Sequence, residues 1–110
     1  MSFKLTNPQL RELKRLAQKL DPHVRVGKQG LSDGFIRSLD EMLGHLELVK
    51  VKFDEFKEEK KTLGAELAEK TGSQIVMKVG NVLVLYRQNP DPMRQKIQLP
   101  KAGPSGTMQE

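Results

Sequence analysis

Two glycines three residues apart frame the most distinctive segment of the chain, Gly27-Lys28-Gln29-Gly30, which we call the GxxG loop (residues 27–30). It lies between a short predicted strand and a predicted helix start, where free backbone N–H groups and the helix dipole favour an anion. Glycine allows a sugar-phosphate backbone to approach closely. Lys28 adds a positive charge, and Gln29 can donate to a phosphate oxygen or a base edge. KH domains clamp nucleic-acid backbone with such a loop. The alternative is a purely structural strand-to-helix turn.

Basic residues outside this loop form a second candidate set. The formal net charge is +5, and residues 1–37 carry eight Lys or Arg against three Asp or Glu. A basic surface attracts polyanions by long-range attraction and counterion release. The candidate RNA-binding side chains are those expected on exposed helix faces or on an open sheet face: Arg11, Lys14, Arg15, Arg25, Arg37, Lys50 and Lys52. Lys78 is expected to join the three on the sheet face. Ordinary solvated side chains are the alternative.

The sequence offers little for catalysis or cofactor binding. It contains no cysteine, and neither of its two histidines, His23 and His45, stands at metal-ligand spacing or beside a nucleophile. The GxxG loop also lacks the Gly-Lys-Ser/Thr ending of a P-loop. We therefore expect neither enzyme activity nor a metal or other cofactor. His23 could touch a phosphate from its place near the loop, but a strand-edge histidine is the simpler interpretation.

Aromatic stacking on bases is also poorly supported by the sequence. There is no tryptophan, and Phe35, Phe53 and Phe56 are assigned to the core by their spacing. Tyr86 is the one stacking candidate, although a partly buried sheet residue is the favoured interpretation. The protein is therefore expected to recognise backbone and shape more than base sequence.

The elements that position these residues follow from caps and apolar spacing. Thr6 and Gln9 predict a capping box before a helix that ends at Asp21-Pro22, and Ser32 or Asp33 caps a second helix. Strict alternation over residues 48–53 predicts a strand. A third helix is predicted from about residue 55 to residue 71, and Gly80-Asn81 separates two final strands, 73–79 and 82–87. The order α-β-α-β-α-β-β predicts a two-layer α/β domain with a four-stranded mixed sheet.

The two ends of the chain carry weaker signals. We expect one domain over residues 1–100, with Ile97 and Leu99 docked on it, and a disordered tail over residues 101–110. The opening residues lack the apolar run of a signal peptide, and no stretch approaches the length of a membrane span. These features predict a cytoplasmic monomer without membrane or small-molecule partners.

Several blocks in order resemble the CRM (YhbY-like) RNA-binding family. They run from Val26 to Gly34, from Glu47 to Lys52, over Thr71-Gly72 and from Val79 to Arg87, and the opening helix and Lys96-Ile97-Gln98-Leu99-Pro100 are similar as well. The resemblance implies a fold similar to the C-terminal domain of translation initiation factor 3. It also implies a stand-alone bacterial protein that associates with precursors of the large ribosomal subunit, with RNA contact through the GxxG loop.

The sequence thus predicts an RNA-binding protein that contacts ribosomal RNA backbone during assembly of the large ribosomal subunit. A protein-interaction module that docks a ribosomal or assembly protein is the main alternative. A small RNA hydrolase is a further one, and the missing acid–base pair argues against it.

Overall fold

The computed structural model describes residues 4–100, so the predicted tail over residues 101–110 lies outside the described residues. The helices are α1 (Asn7–Ala17), α2 (Asp33–Leu46) and α3 (Lys60–Thr71). The strands are β1 (Val24–Val26), β2 (Leu48–Phe53), β3 (Gln74–Val79) and β4 (Val82–Tyr86). Two short 3-10 turns, Lys57–Glu59 and Pro92–Arg94, complete the list. This element order confirms the predicted one.

The four strands form one mixed sheet in the order β1-β2-β4-β3. β1 and β2 are parallel, whereas β4 pairs antiparallel with both β2 and β3. The parallel pair needs a crossover connection, which α2 supplies, and the Gly80-Asn81 turn closes the β3–β4 hairpin with Gly80 at φ +58°. The predicted four-stranded mixed sheet with a hairpin at one side is confirmed.

One face of the sheet packs against α2 and α3 and forms the larger part of the core. Val49, Val51 and Phe53 of β2 point to this face, where they meet Leu39 and Leu43 of α2 and other buried side chains, including Leu67, Leu83 and Leu85. Successive side chains of β2 therefore alternate between this face and the opposite face of the sheet, as in any strand. On this side the sheet and the two helices make the two predicted layers.

The opposite face of the sheet is covered as well, and this differs from the open face expected from the sequence. Leu13 and Ala17 of α1 pack there on Leu48, Val76, Val84 and Tyr86, and Ile97 and Leu99 of the C-terminal segment add partly buried contacts. The docking expected for Ile97 and Leu99 is thus confirmed. The apolar residues of α1 lie at helical spacing on one side of that helix, and they are buried against apolar side chains of β2, β3 and β4. Among residues 4–100, Arg25, Lys50 and Lys52 lie on this face on the side of β1.

Local capping signals position the helix starts close to where the sequence predicts them, whereas α1 ends at Ala17, before the predicted end at Asp21-Pro22. The Thr6 hydroxyl accepts the Gln9 N–H at 3.3 Å while the Gln9 side chain accepts the Thr6 N–H at 2.9 Å, which is a complete capping box. Ser32, rather than Asp33, caps α2 by accepting the Phe35 N–H at 3.2 Å. Gly72 ends α3 with a left-handed φ of +64°.

The third helix begins later than predicted, and one of its expected core residues is displaced. Phe56 has a left-handed backbone, with φ 57° and ψ 36°, so it cannot belong to a right-handed helix. A 3-10 turn follows it, and α3 begins only at Lys60. The expectation that Phe56 belongs to the core is therefore wrong: its side chain is 40% exposed.

A β-bulge in β3 changes the expected position of Lys78. The register slips between Ile75 and Met77, so Lys78 pairs with Leu83, whose side chain points toward α3. β3 is also the edge strand farthest from β1. Lys78 therefore does not share a face with Arg25 and Lys52, contrary to the expectation from strict alternation.

A buried carboxylate attaches the C-terminal segment to the domain. Glu47 follows α2 with φ +67° and is 0% exposed. Its two carboxylate oxygens accept the N–H groups of Asn89 at 2.6 Å, Lys96 at 2.9 Å and Ile97 at 3.0 Å. Three donors to an ionised acceptor compensate for the burial of its charge. Nothing in the spacing of apolar residues indicated this contact.

Candidate nucleic-acid interface

The GxxG loop is a tight turn between β1 and α2. The Gly30 N–H donates to the Gly27 carbonyl at 3.0 Å, which closes the turn over Lys28 and Gln29. Both of these residues are exposed. Within residues 4–100, the N–H groups of Lys28 and Gln29 have no hydrogen-bond partner. The turn therefore presents two donors to solvent, which is the arrangement that an anionic oxygen needs.

The two glycines of the loop meet different requirements. Gly30 has φ +64°, and a Cβ atom placed on it would lie 3.3 Å from Cε2 of Phe56, so both its backbone and its neighbour favour glycine. A Cβ on Gly27 would meet no atom of residues 4–100 within 4 Å. Gly30 is thus needed for the turn itself, whereas Gly27 leaves open space at the surface. That open space is available to an approaching sugar-phosphate backbone.

The start of α2 adds both favourable and unfavourable charge. Its dipole favours an anion, but Asp33 stands in the first turn and already supplies a negative charge there. Gly34 is exposed, and a Cβ on it would meet nothing within 4 Å. The amides of the turn are therefore better placed for a phosphate than the end of the helix. Arg37, exposed on the next turn of α2, carries a positive charge on the same helix face as Gly34.

Arg25 and Lys52 are cross-strand neighbours on the face that α1 leaves uncovered at the β1 edge. They face each other in the β1–β2 register, one residue before the final pair of β1. Arg25 donates to the Asp54 carboxylate at 2.9 Å, and both side chains remain partly exposed. Lys52 has no ion pair within the part of the chain that the structure describes. Lys52 therefore adds a cation without an acidic partner beside the loop, whereas the charge of Arg25 is shared with Asp54.

Lys50 has an internal partner instead of an open surface. Its ammonium donates to the carbonyl oxygens of Ala17 at 3.2 Å and Leu20 at 2.8 Å, at the C-terminal end of α1. A cation there is stabilised by the helix dipole and by its hydrogen bonds to carbonyl oxygens at the helix end. Lys50 thus connects α1 to β2, and we leave it out of the proposed contact surface.

His23 lies in the same strand-edge arrangement and is not directed at a ligand. Its Nδ1 atom accepts the Lys50 N–H at 3.0 Å, and its own N–H donates to the Lys50 carbonyl at 2.8 Å. Burial, and then the positive charge of Lys50, lowers the pKa of His23 below 6.5. The strand-edge interpretation fits this geometry.

The basic residues of α1 lie on the opposite side of that helix from the core. Arg11, Lys14 and Arg15 are all exposed. Arg15 forms a two-pronged pair with Glu12, at 3.0 Å and 2.6 Å, and this hydrogen bond lowers the pKa of Glu12. Arg11 and Lys14 have no ion pair within residues 4–100. Because α1 covers the sheet face that also carries Arg25 and Lys52, these side chains share one side of the molecule.

Tyr86 agrees with the favoured interpretation of a sheet residue, whereas Phe56 differs from its expected core position. Tyr86 is fully buried on the α1 side of the sheet, where burial and then the Glu47 carboxylate raise its pKa to about 12. It therefore has no surface on which a base could stack. Phe56, in contrast, is exposed beside the GxxG loop. Its left-handed backbone left no signal in the apolar periodicity, so sequence reasoning had no means to find it.

Among residues 4–100, no cluster of three His, Asp or Glu side chains could hold a metal ion. In the same range, no helix is both long and apolar enough to cross a bilayer.

Comparisons with known proteins match most of the length of this chain. The CRS1 / YhbY (CRM) domain matches residues 5–87. YqeI of Bacillus subtilis, named as a probable RNA-binding protein, is 35% identical over 97 residues, covering 87% of this chain and 99% of its own. A protein of Haemophilus influenzae named as an RNA-binding protein is 36% identical over 98 residues, covering 88% and 96% respectively.

A solved structure gives the same result for the fold. The solution structure of SAV1595 from Staphylococcus aureus, described as a candidate RNA-binding protein, superposes with a TM-score of 0.69 at 33% identity. The alignment covers 86% of this chain and all of that one. The segment that matches the family, residues 5–87, includes α1, the GxxG loop and all four strands. The chain therefore belongs to the CRS1/YhbY (CRM) domain family.

Proposed function

We propose that this protein binds structured RNA and holds its sugar-phosphate backbone at the GxxG loop. The observation that carries the proposal is the pair of free N–H groups on Lys28 and Gln29, in a turn whose Gly27 leaves open space. The ammonium of Lys28 lies in the same turn and has no ion pair within residues 4–100. The RNA-binding names of two relatives support the same partner.

The other cations have graded roles in this proposal. Arg37 and Lys52 flank the loop and contact neighbouring phosphates. Arg11 and Lys14 on α1 add long-range attraction, whereas Arg15 and Arg25 contribute less because each has an acidic partner. Phosphate contacts fix the position and orientation of a nucleic acid but carry no base sequence. In this proposal the basic surface supplies affinity, and specificity comes from the shape of the RNA or from an unpaired base.

We further propose that the RNA is ribosomal, in precursors of the large subunit, and that the protein acts as a cytoplasmic monomer. The family resemblance of the motif blocks supports this assignment. Ultraviolet crosslinking in cells, followed by sequencing of the attached RNA, is expected to recover large-subunit ribosomal RNA above all. Recovery concentrated on messenger or small regulatory RNAs would remove the ribosomal assignment and leave RNA binding itself intact.

The loop is tested by the salt dependence of binding. The double substitution Lys28→Ala, Arg37→Ala is expected to weaken binding to protein-free ribosomal RNA and to reduce the slope of log affinity against log salt by about one per lost phosphate contact. The matched control is Lys61→Ala, Lys78→Ala. It removes the same number of charges from exposed positions on α3 and the β3 edge.

The control pair is expected to leave the slope unchanged. Equal slopes for the two double variants would mean that only net charge matters, and the loop would lose its assignment. Thermal unfolding of each variant checks that the fold is retained.

The main alternative, a module that docks a ribosomal or assembly protein, makes a different prediction. It requires tight binding to a protein partner and none to purified ribosomal RNA at physiological salt. An RNA hydrolase would convert labelled RNA to shorter products. Gel-shift and cleavage assays on the same RNA distinguish all three.

A further inference from the structure

Phe56 is an exposed aromatic residue held in a costly backbone conformation. It has φ 57° and ψ 36°, and its side chain is 40% exposed. Left-handed backbone is unfavourable for a bulky side chain, and such outliers concentrate at functional sites. A ring that keeps 40% of its surface exposed also gains less free energy from burial than a core aromatic residue does. Packing alone therefore does not fully explain why a phenylalanine occupies this position.

The position of Phe56 beside the GxxG loop is fixed by the backbone. The N–H groups of Asp54 and Glu55 both donate to the Val26 carbonyl at 3.1 Å, so the segment after β2 is bonded to the residue that precedes the loop. The ring of Phe56 lies against Gly30, where a Cβ atom would be 3.3 to 3.9 Å from three ring carbons. One part of the ring thus supports the turn, and the remainder stays open to solvent.

The charges around the ring differ on its two sides. The loop side carries Lys28 and the free amides, whereas the shallow pocket that contains Phe56 is lined by Glu55, Glu58 and Glu59, together with Lys57. The carboxylate of Asp54 is already paired with Arg25. A phosphate is repelled by the acidic side and attracted to the loop. An uncharged base is not repelled, so a nucleotide bound here is oriented with its phosphate on the loop and its base toward Phe56.

We propose that Phe56 stacks on the base of the nucleotide whose phosphate the GxxG loop holds. This inference rests on the proposed function and adds the kind of RNA that is bound. A base within a duplex has both faces covered by its neighbours, so only an unpaired nucleotide, in a loop, bulge or single strand, can stack on the ring. The protein therefore recognises an unpaired nucleotide at this position.

The absence of tryptophan from the chain makes a direct test possible. In the variant Phe56→Trp, indole fluorescence comes from this site alone. Titration with a single-stranded oligoribonucleotide is expected to quench that emission in a saturable manner, and a blunt duplex of the same sequence is expected to quench it much less. The control is Met93→Trp, at a side chain that is 91% exposed in the 3-10 turn Pro92–Arg94. It is expected to show little quenching with either RNA.

Affinity measurements complete the test. Phe56→Leu is expected to lose roughly fivefold or more in affinity for the single strand, since base–aromatic stacking has about that effect. Phe56→Tyr is expected to retain it. If the Phe56→Trp variant binds the single strand in a gel shift but is quenched no more than the Met93→Trp variant, stacking is excluded and backbone binding stands. If the unmodified protein binds neither RNA, both proposals fall.

Discussion

At the scale of single residues, the two glycines of the GxxG loop differ in what the fold requires of them. Gly30 is required by a positive φ and by contact with Phe56, whereas nothing in the fold requires glycine at position 27. The two glycines of one short motif therefore occupy their positions for different physical reasons. The difference can be measured by making the same substitution, glycine to alanine, at each of the two positions.

We predict opposite outcomes for alanine at these two positions. Gly30→Ala is expected to lower the free energy of unfolding by about 1–2 kcal/mol because its backbone is left-handed. Gly27→Ala is expected to change it by less than about 0.5 kcal/mol, yet to weaken RNA binding severalfold because the methyl group occupies the approach path. Urea unfolding and gel-shift titration of both variants check this. A Gly27→Ala variant with unaltered RNA affinity would argue that the open space is not used.

At the scale of elements, the C-terminal segment is held by the carboxylate of Glu47 rather than by a helix or strand of its own. This carboxylate accepts the N–H groups of Asn89, Lys96 and Ile97, which lie 42, 49 and 50 positions after Glu47 in the sequence. Gln9 of α1 holds the same segment by donating to the Pro100 carbonyl at 2.9 Å. The layer on the α1 side of the sheet is thus assembled from the two ends of the described chain.

We predict that Glu47→Gln detaches this segment and destabilises the protein. The free energy of unfolding is expected to fall by about 3 kcal/mol, because an amide cannot accept on both of its terminal atoms and loses the charged hydrogen bonds. Hydrogen exchange at the Lys96 and Ile97 amides is expected to accelerate more than exchange in the sheet. Glu41→Gln, on the exposed face of α2, removes the same charge and serves as the control. Unchanged protection of Lys96 and Ile97 would contradict the assigned role.

The elements were predictable where their signals are local. The Thr6–Gln9 capping box, the Gly72 helix end and the Gly80-Asn81 hairpin each depend on a few adjacent residues, and the structure contains all three. Phe56 and Lys78 were misplaced because a left-handed residue and a β-bulge leave the apolar pattern unchanged. Lys50 looked like a free surface cation because its partners, the carbonyls of Ala17 and Leu20, are backbone groups about thirty residues away.

At the scale of the whole molecule, cations without an acidic partner among residues 4–100 include Arg11 and Lys14 on α1, and Lys28 and Lys52 in or beside the GxxG loop. Acidic residues follow β2 instead, at residues 54, 55, 58 and 59. This division allows the field of the protein to orient an approaching polyanion before any contact forms. In the proposed function, the cations of α1 act in this way without lying in the GxxG loop.

We predict that Arg11→Ala, Lys14→Ala lowers the association rate with RNA at low salt and has little effect at high salt, where screening removes long-range attraction. Stopped-flow binding across a series of salt concentrations checks this. The Lys61→Ala, Lys78→Ala variant, tested in parallel, is expected to retain most of the rate. If the α1 variant were equally impaired at all salt concentrations, α1 would have to contact RNA directly.

The anchoring of residues 88–100 by Glu47 also bears on where this module can be cut. The family match ends at residue 87, and a fragment that stops there would contain every helix and strand from α1 to β4. It would nevertheless bury an anion without its three donors and leave the leucines of α1 partly uncovered. Anyone who grafts the module onto another protein should therefore keep the chain through Pro100.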